Sequence, residues 1–193
     1  FDQQPFDLRA LLEEVAGMTA PLAGQRGLAF RSHIDDRVPA WVLGDVVRVR
    51  QILLNLLGNA IKFTERGHVE LSVERGGGDS VKFIVADTGP GLNPEQRERL
   101  FRRFEQAEGP QNGARYGGSG LGLAISQELA AGMGGRIVVD SAPGRGTRFE
   151  VDLPLPATAP ARPAGKTAEA PSQPLSLLLV EDDPTVAEVI GGL

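Results

Sequence analysis

Asn55, Asn59 and Lys62 recur at helical spacing in the segment RVRQILLNLLGNAIK, and with Arg48 and Gln51 they fall in one narrow arc at about 3.6 residues per turn. Val49, Leu53, Leu56, Leu57 and Ala60 form a separate apolar arc. A helix of this kind packs into a core while holding two carboxamides and an ammonium in a row, the equipment of a site for a polar ligand. A solvated face gives the same pattern, so the stripe alone does not select a site. Two glycine-rich segments add to it. VADTGPG puts Asp87 at the end of an apolar strand, where Gly89 and Gly91 permit a tight turn and close approach of backbone to a ligand. A carboxylate there can accept from the amino group of adenine, where guanine offers an acceptor; a strand-ending Asx turn accounts for it equally. YGGSGLGLAIS runs from a polar loop into a helix whose first amides attract phosphate. It is not a Walker loop, and Gly118, Gly120 and Gly122 are not spaced as GxGxxG, so a flexible connection explains it as well.

The elements that must position these residues alternate between helical and strand periods. Phe6, Leu8, Leu11, Leu12, Val15 and Met18 predict a first helix with Asp7 as its N-cap. Leu28, Phe30 and Ile34 predict a strand. Asp45 caps the striped helix, which is expected to end near Gly67. Val69, Leu71 and Val73 alternate as a half-buried strand, GGGD turns the chain, and 81–86 is the hairpin partner. Asn93 and Pro94 start a short helix through Phe104, 105–118 reads as a mobile loop, and 121–133 is helical up to Gly134. Strands 136–139 and 147–153 close a hairpin around PGRG. Strands on one face and helices on the other make an α+β fold: a two-layer α/β sandwich whose mixed, mostly antiparallel sheet packs against the helices.

Composition bounds the partners. The 193 residues are 41% apolar with a net charge of -5 and no basic stripe, which argues against nucleic acid as a partner. With no cysteine there is no disulfide framework and no thiolate metal site. No apolar run reaches the roughly 18 residues of a membrane span. The composition shifts at Pro154: residues 1–153 read as one domain, 154–174 as a Pro/Ala-rich linker, and 175–193 as a new strand and helix too short to fold alone. Residues 154–193 are expected to be poorly ordered.

NLLGNAIKFTERG, ADTGPGL, LFRRFEQ and GGSGLGLAI occur in the order and at the spacings of the N box, first glycine box, F box and second glycine box of histidine protein kinases, and residues 1–153 resemble that family's catalytic domain. The resemblance implies a sandwich that binds ATP with Mg2+ beneath a flexible lid. It implies Asn59 as the magnesium ligand, a hard cation suited to an amide oxygen. Asn55 and Lys62 are the implied catalytic pair, Asn55 organising metal and phosphates and Lys62 neutralising phosphate charge. Phe63 lines the pocket, Asp87 reads adenine, Gly89 and Gly91 let backbone approach the base, and Thr147 joins the adenine network. Gly118, Ser119, Gly120, Leu121 and Gly122 wrap the phosphates. Phe101 and Phe104 support the lid, and Arg103 either reaches the terminal phosphate or faces solvent.

Related gyrase, mismatch-repair and heat-shock ATPases carry a glutamate at the position of Asn55 as general base, and a carboxamide cannot take that proton. The resemblance therefore implies transfer of the γ-phosphate to an external acceptor. His33 and His68, the only histidines, sit in strand contexts, so neither is the acceptor. The expected acceptor is a histidine on a dimerisation hairpin that would precede this chain. A fragment without it is expected to be monomeric in a homodimeric parent, and cytoplasmic even where that parent is anchored in the inner membrane. LLLVEDDPTVAEVI, with Glu181, Asp182 and Asp183, resembles the start of a response-regulator receiver domain, so a hybrid sensor kinase is the implied parent, its partner a receiver domain or response regulator. A nucleotide-binding docking module without transfer activity is the alternative of another class; a gyrase-like ATPase is a third.

Overall fold

Two aspartates set where the long helices begin. Asp7 accepts from Ala10 N at 3.0 Å and starts α1 (Leu8–Gln25); Asp45 accepts from Arg48 N at 3.1 Å and starts α2 (Val46–Phe63). The computed structural model describes residues 2–102 and 121–160, all within one unit, Phe1–Ala161. The expected lid segment and the receiver-like residues lie outside the described residues.

The strands are β1 (Gln4–Asp7), β2 (Ala29–Ile34), β3 (Trp41–Gly44), β4 (His68–Arg75), β5 (Ser80–Asp87), β6 (Arg136–Ser141) and β7 (Thr147–Pro154). Five form a sheet in the order β2-β4-β5-β7-β6, in which β2 pairs parallel with β4 and the rest are antiparallel. Its inner face presents Val69, Leu71, Val73, Val81, Phe83, Val85, Phe149, Val151 and Leu153, each at most 5% exposed. Period-two alternation in the sequence puts these residues on one face. Against them pack α1, α2 and α4 (Gly122–Gly132), with α2 between the other two. The fold is therefore the expected two-layer α+β sandwich. No helix among the described residues is long and apolar enough to cross a membrane.

Four expectations change. Phe6 lies in β1 opposite Val42, because the chain stays extended up to the Asp7 cap. Met18 is exposed, and the buried stripe of α1 instead continues through Thr19, whose hydroxyl donates to the Val15 carbonyl at 2.7 Å. The striped helix ends at Phe63, short of Gly67, because Arg26 Nη1 donates to the Ile61 and Lys62 carbonyls at 3.2 and 2.9 Å and satisfies the helix end there. The helix α3 (Pro94–Arg99), with its Asn93–Gln96 capping box, ends before Phe104, which lies outside the described residues.

The chain does not turn loose at Pro154. Leu155 is buried, Leu43 N donates to the Pro156 carbonyl at 2.9 Å, and Thr158 N to the Trp41 carbonyl at 2.9 Å. With the Val42–Ala157 bridge, residues 155–158 run along β3 on the side opposite β1. The first residues of the Pro/Ala-rich stretch are thus part of the folded unit, anchored by the one large apolar side chain among them.

Candidate functional site

Asp87 ends β5 between β4 and β7, and its Oδ1 accepts from Gly89 N at 2.8 Å and Thr147 N at 3.3 Å. An Asx turn does form. Among the described residues both bonds fall on Oδ1, which leaves Oδ2 open to a ligand. Burial pushes the Asp87 carboxyl above the usual range, and the two amides only partly oppose it. The turn is sewn to the β6–β7 hairpin: Leu92 N donates to Ser141 Oγ at 2.9 Å, and that hydroxyl donates to the Gly146 carbonyl at 2.8 Å and lies 3.1 Å from Thr147 Oγ1. Gly91 and Gly146 have φ of 71° and 76°, and a Cβ on either would overlap a carbonyl oxygen, of Ala142 and Asp87 respectively.

The same turn lies against the C-terminus of α2. A Cβ on Gly89 would sit 2.8 Å from Asp87 Oδ1, 3.2 Å from Thr64 Oγ1 and 3.3 Å from the Phe63 carbonyl, so only glycine lets the turn come this close to the three oxygens. Phe63 is 39% exposed and Lys62 Nζ stands 4.8 Å from the centroid of its ring. Partial burial, with the charge of Arg26 beside it, holds the Lys62 ammonium below its ordinary pKa.

Farther up the helix, Asn55 Nδ2 donates to Ser126 Oγ of α4 at 2.8 Å, and a Cβ on Gly122 would overlap Asn55 Oδ1. The start of α4, where the glycine-rich segment enters, is therefore seated on the Asn55 carboxamide. Asn59 is half-buried one turn on, and of the two carboxamides only Asn55 is engaged by a neighbour among the described residues. At 1.5 Å rise per residue, Asn55 and Thr64 are about 13 Å apart along the axis.

Asp87, Gly89, Gly91, Thr147 and Phe63 thus converge at one end of α2. Asn55 and Gly122 meet near the middle of that helix, and Asn59 and Lys62 lie between the two places. Leu121 precedes α4; Gly118, Ser119, Gly120, Arg103 and Phe104 lie outside the described residues. Phe101 is half-buried against the core. His33 is exposed on the edge strand β2, and no group of three or more His, Asp or Glu able to hold a metal occurs among the described residues. Sequence reasoning missed Thr64, Ser126, Ser141 and Gly146. Only Gly146 carried a signal, as the second glycine of a PGRG turn; the hydroxyls gain meaning from contacts the sequence does not show.

The profile of the "Histidine kinase-, DNA gyrase B-, and HSP90-like ATPase" family matches residues 44–157. The sensor histidine kinase AruS of Pseudomonas aeruginosa is 42% identical over 97% of this chain and 19% of its own length. Among solved structures, full-length ShkA in complex with AMPPNP superposes with a TM-score of 0.73 at 40% identity, covering 82% of this chain and 32% of that one. The catalytic domain of the histidine kinase ThkA gives 0.68 at 27% identity over 80% of this chain and 96% of that domain. The chain spans about a fifth of the length of the curated relatives it matches.

Proposed function

The chain belongs to the family of histidine kinase-, DNA gyrase B- and HSP90-like ATPases, and from that premise we propose that it binds Mg-ATP and donates the γ-phosphoryl group to a histidine on a separate helical hairpin. The observation that carries this reading is the layout of α2: one polar row runs from Asn55, seated under the start of α4, to the Asp87 turn at its other end. In this reading Asp87 Oδ2 accepts the adenine amino hydrogen, with Thr147 and Gly89 fixing the carboxylate through Oδ1. Gly91 permits the close approach, and Phe63 covers the base. Asn55, Lys62 and Gly118 to Gly122 face the triphosphate.

Asn59 offers one amide oxygen to Mg2+, a cation that keeps phosphate and water oxygens as its other ligands. When bound, the ion screens phosphate charge. Lys62 adds a point cation, and its lowered pKa reflects a partly desolvated ammonium that an anionic ligand would stabilise. Phosphoryl transfer needs chiefly positioning and charge neutralisation. Asn55 cannot take a proton from water, so nothing at its position activates hydrolysis, and the reading favours transfer to an acceptor side chain.

The similarity to sensor kinases extends the reading to the parent: a homodimeric kinase whose hairpin supplies the histidine, with residues 175–193 as the start of a receiver domain and a response regulator as partner. The test is reconstitution. This chain, ATP, magnesium and the parent's hairpin should yield phosphohistidine on the hairpin; ATP binding with no transfer would favour a regulatory docking module, and rapid turnover without the hairpin would favour a gyrase-like ATPase.

A further inference from the structure

Thr64 is the C-cap of α2, only 2% exposed, and its hydroxyl has no hydrogen-bond partner among the described residues. Among the described residues two other buried side-chain atoms share that condition, Arg50 Nε and Asp152 Oδ1, but each belongs to a side chain ion-paired through another atom, with Glu14 at 2.9 Å and Arg136 at 3.9 Å. Thr64 has only the one polar atom. A buried hydroxyl left unmade costs about 1–3 kcal/mol, and valine would fill the same volume without that cost.

The place of the hydroxyl gives it a use. It lies beside the close approach at Gly89, together with Asp87 Oδ1 and the Phe63 carbonyl. Asp87 Oδ1 and the Phe63 carbonyl can only accept, whereas a hydroxyl both donates and accepts. Among these three oxygens, the Thr64 hydroxyl alone can donate.

We propose that the Thr64 hydroxyl is a nucleobase-binding group, donating to the purine edge that Asp87 reads, directly or through one water. The inference rests on the ATP-binding reading and adds to it a residue that supplies the donor complementing Asp87. Its signature is a trade: the hydroxyl weakens the unliganded protein and strengthens the complex.

Thr64→Val in the full chain should melt at the same temperature as the parent or higher without nucleotide, yet bind ATP about three- to tenfold more weakly, the worth of one hydrogen bond. The factor should be equal with and without magnesium, because the contact lies at the base end. Thr64→Ser, which keeps the hydroxyl, should bind ATP like the parent. Calorimetric titration with ATP and thermal unfolding read both quantities. Unchanged ATP affinity in Thr64→Val overturns the inference while leaving the ATP site standing. A loss present only with magnesium also overturns it, by moving Thr64 to the phosphate end. Failure of the unsubstituted chain to bind ATP would instead refute the ATP-binding reading itself.

Discussion

The Asn55 carboxamide donates through Nδ2 to the hydroxyl of Ser126 at 2.8 Å, joining residues 71 positions apart. The bond fixes which end of the amide faces which neighbour: nitrogen to Ser126, oxygen to the start of α4 at Gly122. Ser126 is itself buried, so the contact is shielded from water and from its competition. One residue thereby serves both the α2–α4 interface and the wall assigned to the triphosphate.

Ser126→Ala should leave the Asn55 amide unpaired and cost about 1–3 kcal/mol of stability. In an Asn55→Ala background the same change should cost little, giving a coupling of about 0.5–3 kcal/mol in a double-mutant cycle read by denaturant unfolding. Additive losses would show that the two side chains do not act as a pair. Gly122→Ala should be worse than either, since its Cβ overlaps Asn55 Oδ1 and forces α4 away from α2.

Asp87 predicts a pH dependence with opposite signs in the two states. Its folded pKa is raised by burial. Between the unfolded and the folded pKa the native chain therefore binds more protons, and the stability of the unliganded protein falls as pH rises through that window. ATP affinity runs the other way: a protonated carboxyl no longer offers Oδ2 to the adenine amino group, so binding should weaken as pH falls, beginning above the ordinary carboxylate range. Asp87→Asn should keep the Oδ1 contacts to Gly89 and Thr147, lose most ATP affinity and abolish both slopes. Binding of ATP that stays constant on acidification of the parent chain would refute the assignment.

The parts of the site legible in the sequence are those with a period or a backbone demand. The arc of Asn55, Asn59 and Lys62 follows from helical spacing and its apolar backing, and Gly89 and Gly91 from a turn that must follow β5. The joining contacts were not legible. Nothing local marks Ser126 as the acceptor of Asn55 or Thr64 as a neighbour of Gly89, because each pairing is made by α2 packing against another element. The early end of α2 was hidden for the same reason: Arg26, from the loop after α1, takes the carbonyls that a longer helix would have used. Met18 failed as a core residue because a three-residue and a four-residue step from Val15 both look helical, and packing selected Thr19.

Asn59 and Asp87 should separate by their dependence on magnesium. If Asn59 ligates the ion, Asn59→Ala should lose chiefly the magnesium-dependent increment of ATP affinity and bind metal-free ATP much as the parent does. Asp87→Asn should lose affinity in both conditions. Titrations of both variants with ATP, in magnesium and in chelator, decide it, and identical behaviour of the two would sink the division of α2 into a metal end and a base end.

The end of the folded unit can be tested by cutting the chain. Leu155 is 1% exposed and its side chain lies against Gly44, while its backbone N donates to the Asp79 carbonyl at 3.0 Å. Truncation to alanine should cost about 2–5 kcal/mol, as for other buried leucines. A chain ending at 160 should then unfold at the temperature of the full chain, because it keeps Leu155 and the bonds of Pro156 and Thr158 to β3. A chain ending at 153 should unfold earlier and expose the β3 edge that residues 155–158 cover. Equal melting of the two shortened chains would mean that residues 155–158 add nothing, and that the sheet of β1 and β3 holds without them.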